Sequence, residues 1–173
     1  MAVPVCDFAP NIDTTFGRMS SSEIVFDQGL GDLFVVRVAG NVAAPSQIGS
    51  VEYAGEQFGT QLVVVLGHSH CGVVTATLDA LTRHAESYSK NLRAIIDRVR
   101  LTLEPLLEAG SERDPEDFLS QAVRANVSAS AEQLRQGSEV LENLIQQDKL
   151  LVVGAEYSLE TGLVDFFDGV PEE

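Results

Sequence analysis

The segment Gly67-His-Ser-His-Cys-Gly72 places an imidazole and a thiol three residues apart. That spacing lets a tight turn bring a ring nitrogen and a thiolate onto one tetrahedral metal ion. An apolar run, Gln61-Leu-Val-Val-Val-Leu66, precedes the segment, and a helical pattern beginning at Val73 follows it. Cys71 therefore falls beside a helix N-terminus, where the positive end of the dipole helps to hold a thiolate. Taken alone, one His-x-x-Cys is a weak signal, and a buried cysteine preceded by two loop histidines is the simpler reading. His70, between the two candidates, points away, is partly exposed and is not counted as a ligand. The other cysteine is Cys6. Two thiols are too few for a disulfide framework, so they read as core thiols, reactive thiols or metal ligands.

Three apolar, β-branched runs read as buried strands: Leu33–Ala39, Gln61–Leu66 and Leu150–Val153. Between the first two, Pro45-Ser46 opens a helix with Ile48, Val51, Ala54 and Phe58 at helical spacing and Gly59 as its stop. That makes a β-α-β unit. Val73–Leu81 reads as a helix, followed by a longer one with Ile95, Val99, Leu103 and Leu107 on one stripe, bent or shortened near Pro105. Asp114-Pro-Glu-Asp117 starts a helix buried along Val123, Val127, Ala131 and Leu134 and ended by Gly137. Ser138 caps a short helix bearing Leu141, Leu144 and Ile145. Glu160-Thr-Gly162 turns the chain into Leu163–Phe167, an edge hairpin. The fold class is α/β: a mainly parallel sheet flanked by helices on both sides, with a C-terminal edge hairpin. In such a sheet ligands gather beyond the carboxyl ends of the strands, which is where His68 and Cys71 fall.

At 173 residues the chain is expected to form a single domain, 1–173. Its 45% apolar content is that of a folding chain rather than a disordered one. Against 26 acidic side chains stand 11 basic ones, a net charge of −15, so nucleic acid and anionic membrane are excluded as partners. No apolar run approaches the length of a membrane span, and no secretory signal is visible. A cytoplasmic location is expected.

Several stretches together closely resemble the β-class carbonic anhydrases: Phe26 to Asn41 (FDQGLGDLFVVRVAGN), Gly49-Ser-Val-Glu-Tyr53 and Val65-Leu-Gly-His-Ser-His-Cys-Gly-Val73. Val152-Val-Gly-Ala-Glu-Tyr157 and Leu159-Glu-Thr-Gly162 are similar to that family's C-terminal strands, and the likeness runs in order from Glu23 to Phe167. The resemblance implies a zinc-dependent lyase, a carbonate dehydratase, that interconverts carbon dioxide and bicarbonate through a zinc-bound hydroxide. It also implies a homodimer or higher homo-oligomer. Zinc in the family is held by one His and two Cys, with water or an Asp in the fourth position; His68 and Cys71 match two of the three.

The family's remaining ligand belongs to a Cys-x-Asp-x-Arg motif at the end of its first strand, upstream of the position of Glu23. Here that window, Thr15–Ser22, contains neither Cys nor Asp. Residues 1–22 thus form an atypical N-terminal segment, shortened relative to the family. One arrangement restores the site: Ala2-Val-Pro-Val-Cys6 as a displaced first strand with Cys6 as third ligand. Asp7 or Asp13 would then replace the family's Asp, and Arg18 its Arg. Pro4 argues against a central strand there. The alternative is a non-catalytic oligomer or binding module with an incomplete zinc site. Asp27 and Asp32 read as turn residues, Arg37 as an ion-pairing or interface residue, and the acidic helices after Glu104 as a solvated face.

Overall fold

The structure, a computed structural model, describes residues 2–6, 21–83, 88–109 and 114–171. Five strands form one sheet: β1 (Ala2–Cys6), β2 (Phe34–Val38), β3 (Leu62–His68), β4 (Leu151–Tyr157) and β5 (Val164–Asp168). Their order is β2-β1-β3-β4-β5. The first four strands run parallel and β5 pairs antiparallel with β4, giving the parallel sheet and edge hairpin expected.

Ala2–Cys6 is the displaced first strand of the arrangement that restores the site, whereas β2 sits differently from expectation. Residues 2–6 form a strand in the middle of the parallel part, although Pro4 has no N–H for a ladder. β1 pairs with β2 along its whole length. It meets β3 at Ala2↔Val63 and Val5↔Leu66, in one register on either side of Pro4. Because β1 takes this place, β2 is displaced to the sheet edge and is only partly buried, rather than covered on both faces. The crossover from β2 through α2 to β3 accordingly spans one intervening strand.

The helices are α1 (Ser22–Val25), α2 (Pro45–Phe58), α3 (Gly72–Arg83), α4 (Lys90–Glu108), α5 (Pro115–Gln136) and α6 (Glu139–Gln146). The expected caps are in place. The Asp114 side chain accepts from Glu116 N–H, Ser138 from Leu141 N–H, and Gly59 closes α2 in the left-handed region at φ 63°. α4 runs on past Pro105 to Glu108.

Alternation along β3 divides the core. Val63 and Val65 face Ile48, Val51 and Ala54 of α2, Val127, Ala131 and Leu134 of α5, and Leu141 of α6. Val64 and Leu66 face the other way, with Leu33, Val153 and Ala155, and there α1 supplies Val25. Among the described residues the long helices therefore pack on one side of the sheet, and the short α1 contributes on the other. Beyond the sheet, α3, α4 and α5 enclose Val74, Val99, Leu103, Ala122 and Val123. Phe58, placed on the buried stripe of α2 by its spacing, is 64% exposed. Its ring lies 5.9 Å from that of Phe34 and 5.5 Å from that of Tyr53.

Candidate metal centre

Strand β3 ends on His68, two residues further than the apolar run alone indicates, and Cys71 immediately precedes α3. The Cys71 carbonyl accepts the first helical bond, from Thr75 N–H at 3.0 Å, and also the Thr75 hydroxyl at 3.1 Å. Cys71 thus occupies the N-cap position. It is buried against Val42, Val74 and Val99, while His68 is half-buried.

The His68 ring is oriented by its own loop. Nδ1 lies 2.8 Å from the Ser69 carbonyl oxygen, which can only accept, so Nδ1 is the donor and in the neutral ring Nε2 holds the lone pair. A ring nitrogen donating to a backbone carbonyl while the other carries the lone pair is the arrangement of metal-ligating histidines. His70 adopts φ 55° and turns outward. Its Nε2 contacts Glu160 Oε1 at 2.8 Å, with both side chains more than half exposed. Its ring is thus engaged by the turn after β4.

Cys6 is described as backbone. It is the last residue of β1, and the Val5↔Leu66 register puts it level with Gly67, one residue before His68. Neighbouring strands lie about 5 Å apart, so the sheet brings the Cys6 position beside the His68–Cys71 turn at the carboxyl end. Asp7, Asp13 and Arg18 lie outside the described residues. Among the described residues no three His, Cys, Asp or Glu side chains form a metal-binding group. The donor types placed at this end of the sheet, an imidazole and a thiol with a second cysteine position adjacent, suit zinc.

The supports of this end of the sheet escaped sequence reading. Ser69 N–H donates to the Tyr157 carbonyl at 3.0 Å, and the Ser69 hydroxyl accepts from Leu159 N–H at 3.0 Å and donates to Glu160 at 2.9 Å. After β2, a single 3₁₀ turn, Ala39–Asn41, is held to α5: Asn126 Nδ2 donates to the Gly40 carbonyl at 2.8 Å and to Asn41 Oδ1 at 3.0 Å. Asn41 Nδ2 in turn donates to Ser130 Oγ at 3.2 Å. Beside β4, Arg124 Nε donates to Glu156 at 2.9 Å, and the guanidinium also bonds Asp165 and lies over the Phe167 ring at 4.4 Å. Partial burial works against the Arg124 charge, but the Glu156 and Asp165 carboxylates outweigh it and hold the group above its ordinary pKa. Asp32 accepts from Gly29 N–H at 2.9 Å, a turn role. Arg37, exposed on the edge strand, contacts the Ser22 hydroxyl at 3.4 Å and lowers the pKa of Glu23, to which the Ser21 hydroxyl contributes most.

A family model described as carbonic anhydrase matches residues 17–164, most of the chain. The chain belongs to the β-carbonic anhydrase family. It is 39% identical over 145 residues to a carbonic anhydrase of Mycolicibacterium smegmatis, which covers 84% of this chain and 68% of that protein. Its fold matches the β-carbonic anhydrase CcaA at TM-score 0.77 with 23% identity, over 99% of this chain and 77% of that one. It also matches tetrameric β-carbonic anhydrases from Sordaria macrospora at TM-score 0.75 with 19% identity, over 96% and 79%. Within this β-carbonic anhydrase fold, His68 and Cys71 stand at the carboxyl end of β3 and β1 ends beside them.

Proposed function

We propose that this chain is a zinc-dependent carbonic anhydrase, a carbonate dehydratase that reversibly hydrates carbon dioxide to bicarbonate. Its zinc would be held by His68, Cys71 and Cys6. The carrying observation is the meeting, at one end of the sheet, of a histidine whose Nδ1–H is committed to the Ser69 carbonyl, an N-cap cysteine, and the last residue of the neighbouring strand, Cys6. Zinc, when bound, lowers the pKa of water to about 7 and so supplies a nucleophile at neutral pH. His68 presents Nε2, and the buried surroundings of Cys71 keep bulk water from its side of the site. Asp7 or Asp13, paired with Arg18, is the proposed hydrogen-bond acceptor that orients the attacking water. The 39% identity to a named carbonic anhydrase supports catalysis over the alternative of a non-catalytic module.

A cytoplasmic homodimer or higher oligomer is part of this reading. The exposed rings of Tyr53 and Phe58 beside the edge strand β2 are apolar surface of the kind that subunits cover. The test is stopped-flow hydration of carbon dioxide by the zinc-loaded chain and by His68→Ala. The expected result is acceleration well above the buffer rate, abolished in the variant. A zinc-loaded chain no faster than buffer overturns the proposal.

A further inference from the structure

Ser69 holds the His68 ring through its carbonyl, at 2.8 Å from Nδ1, so whatever fixes Ser69 also fixes the direction of His68. Its backbone N–H reaches the Tyr157 carbonyl at 3.0 Å. Its hydroxyl accepts from Leu159 N–H at 3.0 Å and spends its own proton on Glu160 Oε2 at 2.9 Å. The same carboxylate oxygen accepts the Ser158 hydroxyl at 2.9 Å, and Oε1 contacts His70 at 2.8 Å. Glu160 therefore gathers side chains from two loops: the turn after β3 that carries His68 and Cys71, and the turn joining β4 to β5. That second turn is firm, because Gly162 N–H donates to the Ser158 carbonyl at 2.9 Å and Thr161 N–H to Ser158 Oγ at 3.1 Å. A carboxylate that is 52% exposed adds little to a core. Its contacts make sense as a strap across the two loops.

We propose that Glu160 is a positioning residue for the metal ligand His68, acting through the Ser69 hydroxyl. The proposal rests on the reading of His68 as a zinc ligand. When Glu160 is removed, Ser69 loses its only charged partner among these contacts, and the loop leans on the hairpin through two backbone-donated bonds alone. Outer partners of a ligating histidine typically change metal affinity by about 10–100-fold.

The test measures the zinc dissociation constant by chelator competition, and the melting temperature of the metal-free protein, for the unsubstituted chain and for variants. Glu160→Ala is expected to weaken zinc binding about tenfold while the metal-free melting temperature falls only slightly, by the small amount that an exposed carboxylate contributes. Glu160→Gln keeps an oxygen that accepts from both serines and should restore most of the affinity. Ser69→Ala should weaken binding comparably, and Glu160→Ala should add nothing in that background, since both act on one contact. Unchanged zinc affinity in Glu160→Ala overturns the proposal alone, as does an additive double variant. An unsubstituted chain that takes up no zinc overturns the zinc reading, and the proposal with it.

Discussion

Placing a methyl group on Gly67 tests whether β3 is seated as tightly under α5 as its position next to His68 requires. A Cβ built there lies 2.5 Å from Val127 Cγ2 and 3.5 Å from Val123 Cγ1. Carbon atoms settle at about 3.5–4.0 Å, so the first contact is roughly 1 Å too short. Val127 is fully buried between sheet and helix and has no room to withdraw. Overpacking of this kind costs about 1–3 kcal/mol, a considerable share of the 5–15 kcal/mol that typically holds a domain. Val127→Ala removes both γ carbons at about 0.8 kcal/mol each, and the cavity brings its cost to about 2 kcal/mol. Were the two sites independent, Gly67→Ala/Val127→Ala would lose about 4 kcal/mol. Because the new methyl fills the space the valine leaves, the double variant should lose about 2 kcal/mol or less, a coupling of about 2 kcal/mol. Urea unfolding followed by circular dichroism, with the m-value constant across the set, reads these differences. Zinc affinity should fall in Gly67→Ala, whose strand must shift beside His68, and recover in the double variant. An additive double variant would refute the argument that Val127 is what requires glycine at this position.

Two further predictions concern the supports of the site. Asn126→Ala leaves the Gly40 carbonyl and Asn41 Oδ1 without their donor in a buried network, so stability should fall by about 2 kcal/mol; a loss below about 0.5 kcal/mol in urea unfolding would show that the network does not hold the turn after β2. Glu160 is held below the ordinary glutamate pKa by its own backbone N–H first, then by the Ser158 and Ser69 hydroxyls and the His70 charge. With the folded value depressed, the unfolded chain binds more protons. The stabilisation is therefore present above the unfolded glutamate pKa and is lost as pH falls through the folded value. Melting temperatures of the unsubstituted chain and Glu160→Gln should accordingly converge on acidification, and a constant gap would contradict that assignment.

Much of this architecture was legible because local signals and burial agree. The Asp114-Pro start of α5 and its stripe of Val123, Val127, Ala131 and Leu134 are all where propensity, capping and periodicity put them. The His68–Cys71 pair was legible too, since an apolar run leading into a His-x-x-Cys before a helical pattern locates it at a strand end. What was hidden depends on contacts distant in sequence. Pro4 argues against a central strand, yet β1 enters the sheet because β2 and β3 offer it two parallel neighbours. The same event moves β2 to the edge. Glu160 reads only as a turn residue, because its partner Ser69 is 91 residues away and no local pattern links a hairpin acid to a loop serine. The Asn41–Asn126 pair is hidden for the same reason, at a separation of 85 residues.

In the proposed zinc site, β1 carries the third metal ligand, Cys6, to the His68–Cys71 turn. Metal content of the purified chain by elemental analysis, beside Cys6→Ser and Cys71→Ser, tests it most directly. Zinc near one equivalent per chain, lost in both variants, is the predicted result. Zinc retained in Cys6→Ser, or absent from the unsubstituted chain, would contradict the account.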